Sequence, residues 1–152
     1  RVLFRSNFNF SPKIDNQYIS PHPSNKIIDI NIGNNCPGQI FKIPPIKDYD
    51  LEDNLYYLWF LDNKLAIPQA IISAENKNTS VITFTVDKQF ILAHFKTKMS
   101  SDILGKFHIL EFFISDKNYS IPETRMMENY GNNQTEHQDY IYWIVNFIDS
   151  PC

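Results

Sequence analysis

Glycine is scarce in this chain, and the short motifs that carry most enzyme chemistry are missing from its sequence. The 152 residues include 4 Gly against 9 Pro. The sequence contains no phosphate-binding glycine loop, G-x-S-x-G turn or H-E-x-x-H helix. The histidines are scattered at positions 22, 94, 108 and 137, without the spacing of a zinc site. We therefore expect a protein that is not an enzyme and has no catalytic residues.

The chain also lacks a charge excess and a long apolar run. Its 14 basic and 17 acidic residues give a formal charge of −3, whereas nucleic-acid binding normally needs a basic stripe. No apolar run approaches the ~20 residues of a membrane helix. The chain opens Arg1-Val2-Leu3-Phe4 without a Met or a signal peptide. We expect no nucleic-acid partner, no membrane span in this chain, and a processed or partial polypeptide.

Short alternating segments rich in aromatic and β-branched residues dominate what is present. With 12 Phe and 8 Tyr, the composition favours strands. No sustained helical period is visible, and the length suits one domain. We predict an all-β sandwich at 26–152, preceded by an irregular, proline-punctuated N-terminal arm at 1–25. The predicted strands cover residues 26–32, 39–43, 55–61, 65–67, 70–72, 81–86, 90–95, 107–115 and 139–147.

Three segments carry a family resemblance, namely Asp48-x-Asp50-x-x-Asp53-x-Leu55-x-Tyr57-x-Trp59, Phe107-His108-x-Leu110-x-Phe112-x-Ile114-Ser115-Asp116 and Tyr140-x-Tyr142-Trp143-x-Val145. They resemble the immunoglobulin-like sandwich of cadherin and PKD type. They are also similar to uncharacterised exported bacterial lipoproteins with an acidic loop before a Leu-Tyr-x-x-Trp-Phe-x-Asp strand. The resemblance implies a single immunoglobulin-like antiparallel sandwich and an exported, periplasmic or outer-membrane location compatible with a lipid anchor. It implies no activity.

The two cysteines, Cys36 and Cys152, precede the second predicted strand and end the chain. In an immunoglobulin-like topology both positions lie at the end of the sandwich opposite the acidic loop. An even cysteine count in an exported-looking domain favours pairing. We expect a Cys36–Cys152 disulfide, with two free thiols as the alternative.

The acidic loop at 47–54 carries the one candidate metal site. Asp48, Asp50 and Asp53, with Glu52, offer the hard oxygen ligands that calcium prefers. The loop lacks the Gly and the distal Glu of a standard calcium loop, and the D-x-N-D-N linker of cadherins is absent from the sequence. The alternative is a solvated acidic turn whose carboxylates bond local N–H groups. We expect no cofactor, with calcium at this loop as the one candidate.

Three predicted strands carry large apolar residues on both faces, unlike a half-exposed antiparallel strand. If Trp59 and Trp143 face the core, the opposite face of the same sheet is also apolar. A patch of that kind usually marks an interface. The alternative is a cover from the chain itself, either the arm 1–25 or the segment after Asp62. The predicted sheet interface comprises Tyr56, Leu58, Phe60, Phe107, Ile109, Phe113, Tyr140, Tyr142 and Ile144.

A polar loop at 117–138, about twenty residues long, holds the adjacent Met126 and Met127. Methionine suits adaptable contacts, although a mobile tether with buried Met is an equal alternative. We expect an accessory or structural subunit that binds other proteins of a larger, membrane-associated assembly through the aromatic sheet face and this loop. The rival expectation is a carbohydrate-binding module, in which exposed aromatic rings stack on sugars.

Overall fold

The computed structural model of the protein describes residues 11–24, 26–96, 102–118 and 138–152. Strands dominate, so the all-β prediction is confirmed. A 3-10 turn at Asn16–Tyr18 comes first. The strands are β1 (Ile28–Asn31), β2 (Gln39–Ile43), β3 (Leu55–Leu61), β4 (Lys64–Leu65), β5 (Ala70–Ile72), β6 (Ile82–Val86), β7 (Phe107–Ser115) and β8 (Gln138–Ile148), and helix α1 is Lys88–Phe95.

Two sheets of unequal size form the sandwich. The large sheet has the order β1-β8-β7-β3-β4, and β5 also pairs with β3. Strand β1 runs parallel to β8, whereas the other neighbours are antiparallel. The small sheet is the antiparallel pair β2–β6. Alternation along β6 shows how the layers form, since Ile82, Phe84 and Val86 are buried while Thr83 and Thr85 face solvent.

Aromatic rings from both sheets meet in the core between them. Trp59 of β3 and Trp143 of β8 stack with their ring centroids 5.9 Å apart. Phe41 of the small sheet packs edge-on against Trp143, and Phe84 lies 4.9 Å from Trp59. The Trp143 indole N–H donates to the Pro21 carbonyl at 2.8 Å, which fixes residues near Pro21 against this core.

A tight hairpin joins β3 to β4 at one end of the sandwich, here called the hairpin end. Leu61 pairs with Lys64, which leaves a two-residue loop of Asp62 and Asn63. Both loop residues have positive φ, 50° and 64°. This is the type I′ geometry that matches strand twist, and Asp and Asn tolerate it well. The opposite end, where the loop 47–54 enters β3, is here called the acidic end.

The prediction of a strand at 90–95 is wrong, because helix α1 occupies this segment. Asp87 caps the helix, since its side chain accepts a hydrogen bond from the Phe90 N–H at 2.9 Å. Ile91 and His94, three residues apart, are the buried positions. A short apolar run does not distinguish a buried strand from a one-sided helix, and the capping aspartate was the signal to use.

Residues 11–24 run beside β2 rather than away from the sandwich. Lys13 forms a bridge with Lys47, and Ser20 forms one with Lys42. The first ten residues of the predicted arm lie outside the described residues, as does Asn25. Within the part of the chain that the structure describes, no helix is long and apolar enough to cross a membrane.

Candidate functional site

The side of the large sheet that faces away from the small sheet is here called the outer face. Residues along a strand alternate between faces, and the core takes Trp59, Phe112 and Trp143 with their alternate neighbours. The side chains of β3, β7 and β8 that point away from the core therefore lie on the outer face. Cross-strand pairing places Phe113 beside both Leu58 and Tyr140. The structure thus brings together on one face all of the predicted interface residues that it describes.

One half of the outer face is buried. Leu58, Phe60 and Phe113 are at most 2% exposed and form a cluster separate from the main core. Tyr56 and Leu65 pack against this cluster and are partly buried. The Phe60 and Phe113 rings meet edge to face, with their centroids 5.7 Å apart. The β3 side of the face is therefore a second small core.

The other half of the outer face, along β7 and β8, is open to solvent. We call it the exposed strip, defined as Phe107, Ile109, Tyr140 and Tyr142. Their exposures are 69%, 46%, 36% and 46%. Ile144, partly buried, extends the strip along β8. The Tyr140 and Tyr142 rings stack 5.9 Å apart. A shallow groove of about 210 Å³ runs beside them, and Asn16, Pro23 and Ser24 line its other side.

A buried carboxylate underlies the exposed strip. Glu111 belongs to the outer face by alternation, yet only 2% of it is exposed. It lies opposite Tyr142 on β8 and opposite Phe60 on β3. The Tyr140 hydroxyl donates to its Oε2 at 2.8 Å. The sequence marks Glu111 as an outward-facing residue, but no local pattern indicates that a tyrosine covers it.

The two methionines of the predicted interface, Met126 and Met127, lie outside the described residues, as does most of the 117–138 loop. Their participation in binding stays a prediction.

At the acidic end, a lysine that the sequence did not single out organises the loop. The side chains of Lys77 and Asp48 are both fully buried and form an ion pair, with Nζ 2.8 Å from Oδ2. The same ammonium donates to the main-chain carbonyls of Asp50 and Asp53, the latter at 3.0 Å. Asp48 also accepts from the Asp50 N–H through Oδ1 at 3.1 Å.

The predicted calcium ligands are divided between two arrangements. Asp48 binds Lys77, whereas the carboxylates of Asp50 and Asp53 converge with that of Asp116, all within 4.8 Å of one another. Burial, and then the charges of Asp50 and Asp48, raise the pKa of Asp53. As a set, Asp48, Asp50 and Asp53 do not surround a vacant ion position, because an ammonium lies at Asp48. Calcium at Asp50 and Asp53 stays a prediction.

The hairpin end holds a histidine whose two ring nitrogens both face oxygen acceptors. His108 Nδ1 lies 2.5 Å from Asp62 Oδ2, and Nε2 lies 2.7 Å from the Ile103 carbonyl. Only the doubly protonated imidazolium donates to both. Burial by itself would lower the pKa of His108, but the bonds to Asp62 and Ile103 outweigh it, so the pKa is raised. Asp62 Oδ1 also accepts from the Ile109 N–H at 3.0 Å.

The second described histidine at this end behaves differently. His94 Nε2 lies 3.0 Å from the Leu61 carbonyl, and burial lowers the pKa of His94. Lys64 Nζ bonds the His94 carbonyl at 2.9 Å. These contacts tie the last turn of α1 to the hairpin.

Cys36 and Cys152 are joined by a disulfide at the hairpin end, as predicted. Their Cα atoms are 5.4 Å apart, and 116 residues separate them in sequence. The bond holds the segment after β8 against the turn that leads into β2.

No protein-family model matches the chain, and no curated protein matches it either. The function must therefore be inferred from the residues and their geometry.

Proposed function

We propose that this protein is an exported, non-catalytic accessory or structural subunit that binds other proteins through the outer face of its large sheet. The 117–138 loop would contribute to the same interface. The domain would be immunoglobulin-like, of the cadherin and PKD type. The strand order β1-β8-β7-β3, with β1 parallel to β8 and the pair β2–β6 opposite, supports that assignment.

The observation that carries the proposal is the exposed strip. It places two aromatic rings and one aliphatic side chain beside a further phenylalanine, and none of the four is charged. Burying a large apolar side chain contributes roughly 1.5–3 kcal/mol. A partner surface that covers Phe107, Ile109 and Tyr142 would therefore gain several such contributions. Aromatic enrichment without charge is the composition of an interface centre.

Two further observations support parts of the proposal. Disulfides persist in oxidising compartments, so the Cys36–Cys152 bond favours an exported location. The polar groups best placed for acid–base chemistry, Asp48 and His108, are engaged in structural bonds rather than pointed into a cavity. That arrangement favours a binding role over catalysis.

The decisive experiment compares complexes recovered from native membranes. Phe107→Lys and Tyr142→Lys should each abolish recovery of a stoichiometric protein complex without lowering the yield of folded monomer. Val81→Lys is the matched control, because the exposure of Val81 (55%) lies between those of Phe107 and Tyr142 while the residue immediately precedes β6 of the small sheet. The proposal fails if the strip variants and the control recover the same complex in the same amount.

A carbohydrate-binding module remains the second candidate, favoured by one specific observation. The stacked pair Tyr140 and Tyr142 flanks a groove whose other wall carries the polar Asn16 and Ser24. Adjacent aromatic rings with polar neighbours are what sugar stacking requires. A glycan array would distinguish the candidates. Sugar binding lost in Tyr142→Ala but retained in Phe107→Lys, which lies outside the groove lining, would favour the carbohydrate function.

A further inference from the structure

The loop 47–54 is acidic in sequence, yet its interior holds a cation supplied by the chain itself. Lys77 comes from the turn after β5, where its backbone N–H bonds the Ser73 carbonyl at 3.1 Å. Its side chain passes under the loop and is completely buried. The ammonium is surrounded by one carboxylate oxygen, from Asp48, and two carbonyl oxygens, from Asp50 and Asp53.

The donors and acceptors match in number and in charge. An ammonium has three N–H donors, and each finds one oxygen in this arrangement. A buried charge needs a partner of opposite sign and hydrogen bonds for its remaining donors. Asp48 supplies the charge, while the two carbonyls complete the set. Without Nζ, Asp48 Oδ2 and the Asp53 carbonyl would each lose the ammonium donor, and the Asp50 carbonyl would keep the longer bond from the Asp53 N–H at 3.4 Å.

The same oxygen types are those that a loop offers to calcium, namely a carboxylate together with main-chain carbonyls. We propose that the Lys77 ammonium takes the place of a metal ion in this loop, so that the acidic end is ordered without any divalent cation. The charge of Lys77 also acts on the Asp53 carboxylate, which lies within 4.8 Å of those of Asp50 and Asp116. This inference is independent of the proposed protein-binding function, because neither Lys77 nor the three residues that bond its ammonium belong to the exposed strip.

The wild-type protein provides the first test. Its melting temperature should be the same in excess EDTA and in millimolar calcium chloride, since the cation position is already filled. Hydrogen exchange at the amides of residues 48–54 should likewise not change between the two conditions. A rise in melting temperature with calcium, together with slower exchange in this loop, would overturn the proposal.

Variants provide the second test. Lys77→Met keeps the length of the side chain and removes the charge, and it should lower the melting temperature by roughly 10 °C. Lys64→Met is the matched control, because Lys64 Nζ also bonds a main-chain carbonyl, at the hairpin end. The control should change the melting temperature by no more than a few degrees. Equal losses in the two variants would contradict the special role of Lys77.

Cation replacement gives the sharpest outcome. Lys77→Ala vacates the space among the three oxygens, so millimolar calcium should restore part of the lost melting temperature in this variant and none in Lys64→Ala. A folded Lys77→Ala protein whose melting temperature does not rise with calcium would overturn the proposal that the ammonium takes the place of a metal ion. If neither Lys77 variant folds, Asp48→Leu combined with Lys77→Met removes both charges and should fold. Failure of that double variant would point to shape rather than charge, against the proposal.

Discussion

The two ends of the sandwich meet the same physical requirement with different cations. At the acidic end, the Lys77 ammonium bonds one carboxylate and two carbonyls. At the hairpin end, the His108 imidazolium bonds one carboxylate and one carbonyl. Histidine is the side chain whose ordinary pKa lies nearest to physiological pH. Burial lowers the pKa of His108, but the bonds to Asp62 and Ile103 outweigh burial and raise it. The comparison teaches that the same requirement, oxygen acceptors around a buried cation, is met by an ammonium at one end and by an imidazolium at the other, and that His108 makes the hairpin end the place to test pH dependence.

The largest expected loss of stability comes from removing the disulfide, which lies at the hairpin end only. Replacing Cys36 and Cys152 together by Ser should lower the free energy of unfolding by about 4–5 kcal/mol, because the bond closes a loop of more than a hundred residues. Urea denaturation measures the loss. Hydrogen exchange should show that opening concentrates at the hairpin end. Equal loss of protection at residues 48–54 would contradict the independence of the two ends.

The next largest loss of stability is expected from a substitution at the acidic end. Asp48→Ala leaves the Lys77 ammonium buried without its counter-charge, and it should cost about 3–5 kcal/mol of unfolding free energy. Asp102→Ala is the matched control, since Asp102 pairs with Lys106 on the surface and such pairs contribute little. Denaturant titrations of the two variants side by side would check this. An Asp48 variant as stable as the control would mean that Lys77 finds another partner.

A pH series tests the hairpin end. The pKa of His108 is raised on folding, so its stabilising contribution is complete below the unfolded pKa of 6.5 and is lost as the pH rises through the folded pKa. Asp62→Asn keeps a residue that tolerates positive φ but removes the carboxylate. The stability difference between wild type and Asp62→Asn should therefore be largest below pH 6.5 and shrink as the pH rises through the folded pKa of His108.

His94 must be separated from this measurement, because its pKa is lowered on folding. Its unfolded form binds a proton as the pH falls below 6.5, which destabilises the folded state there. The charge of Asp62 also acts on His94 and raises its pKa, so the comparison is made in a His94→Asn background, which removes this group from both proteins. A difference that is constant with pH would mean that His108 does not carry the charge inferred from its two acceptors.

The smallest effect concerns the turn itself. Asn63→Gly should raise stability by about 0.5 kcal/mol, because Asn63 has a φ of 64° in a type I′ turn that favours Gly at this position. Asn78→Gly, in a turn without positive φ, is the control and should lower stability slightly. Thermal unfolding of both variants would detect the opposite signs.

Sequence patterns predict the strands of this fold well where alternation and turn residues agree. The bounds of β2, β3 and β7 match the predicted ranges residue for residue. The six residues 90–95 are rich in apolar side chains and fit a strand period as well as a helix period. Only the capping residue Asp87 distinguishes helix α1 from a strand. The domain boundary at 25 stays a prediction. Prolines report local conformation, so they do not reveal that Ser20 forms a bridge with Lys42 of β2 and Lys13 one with Lys47 beyond it.

The candidate site was harder to predict than the strands. The outer-face membership of Tyr142 follows from a period of two, but its exposure depends on what covers the sheet, which alternation does not encode. No sequence pattern marks Lys77, because a lysine that directly follows the polar segment Ser73-Ala74-Glu75-Asn76 looks like any solvated turn residue. Its role arises from a contact 29 residues distant along the chain.

The hydrogen bond between Tyr140 and Glu111 has a consequence for recognition. The phenol is already anchored to a buried acceptor, and its ring rests between Phe113 and Tyr142. Binding normally freezes the rotamers of interface side chains at an entropic cost of about 0.5–1.5 kcal/mol each. The rotamer of Tyr140 is already fixed in the unbound protein. A ligand that covers this ring would therefore not bear that entropic cost, and it would dissociate more slowly for the same contact area.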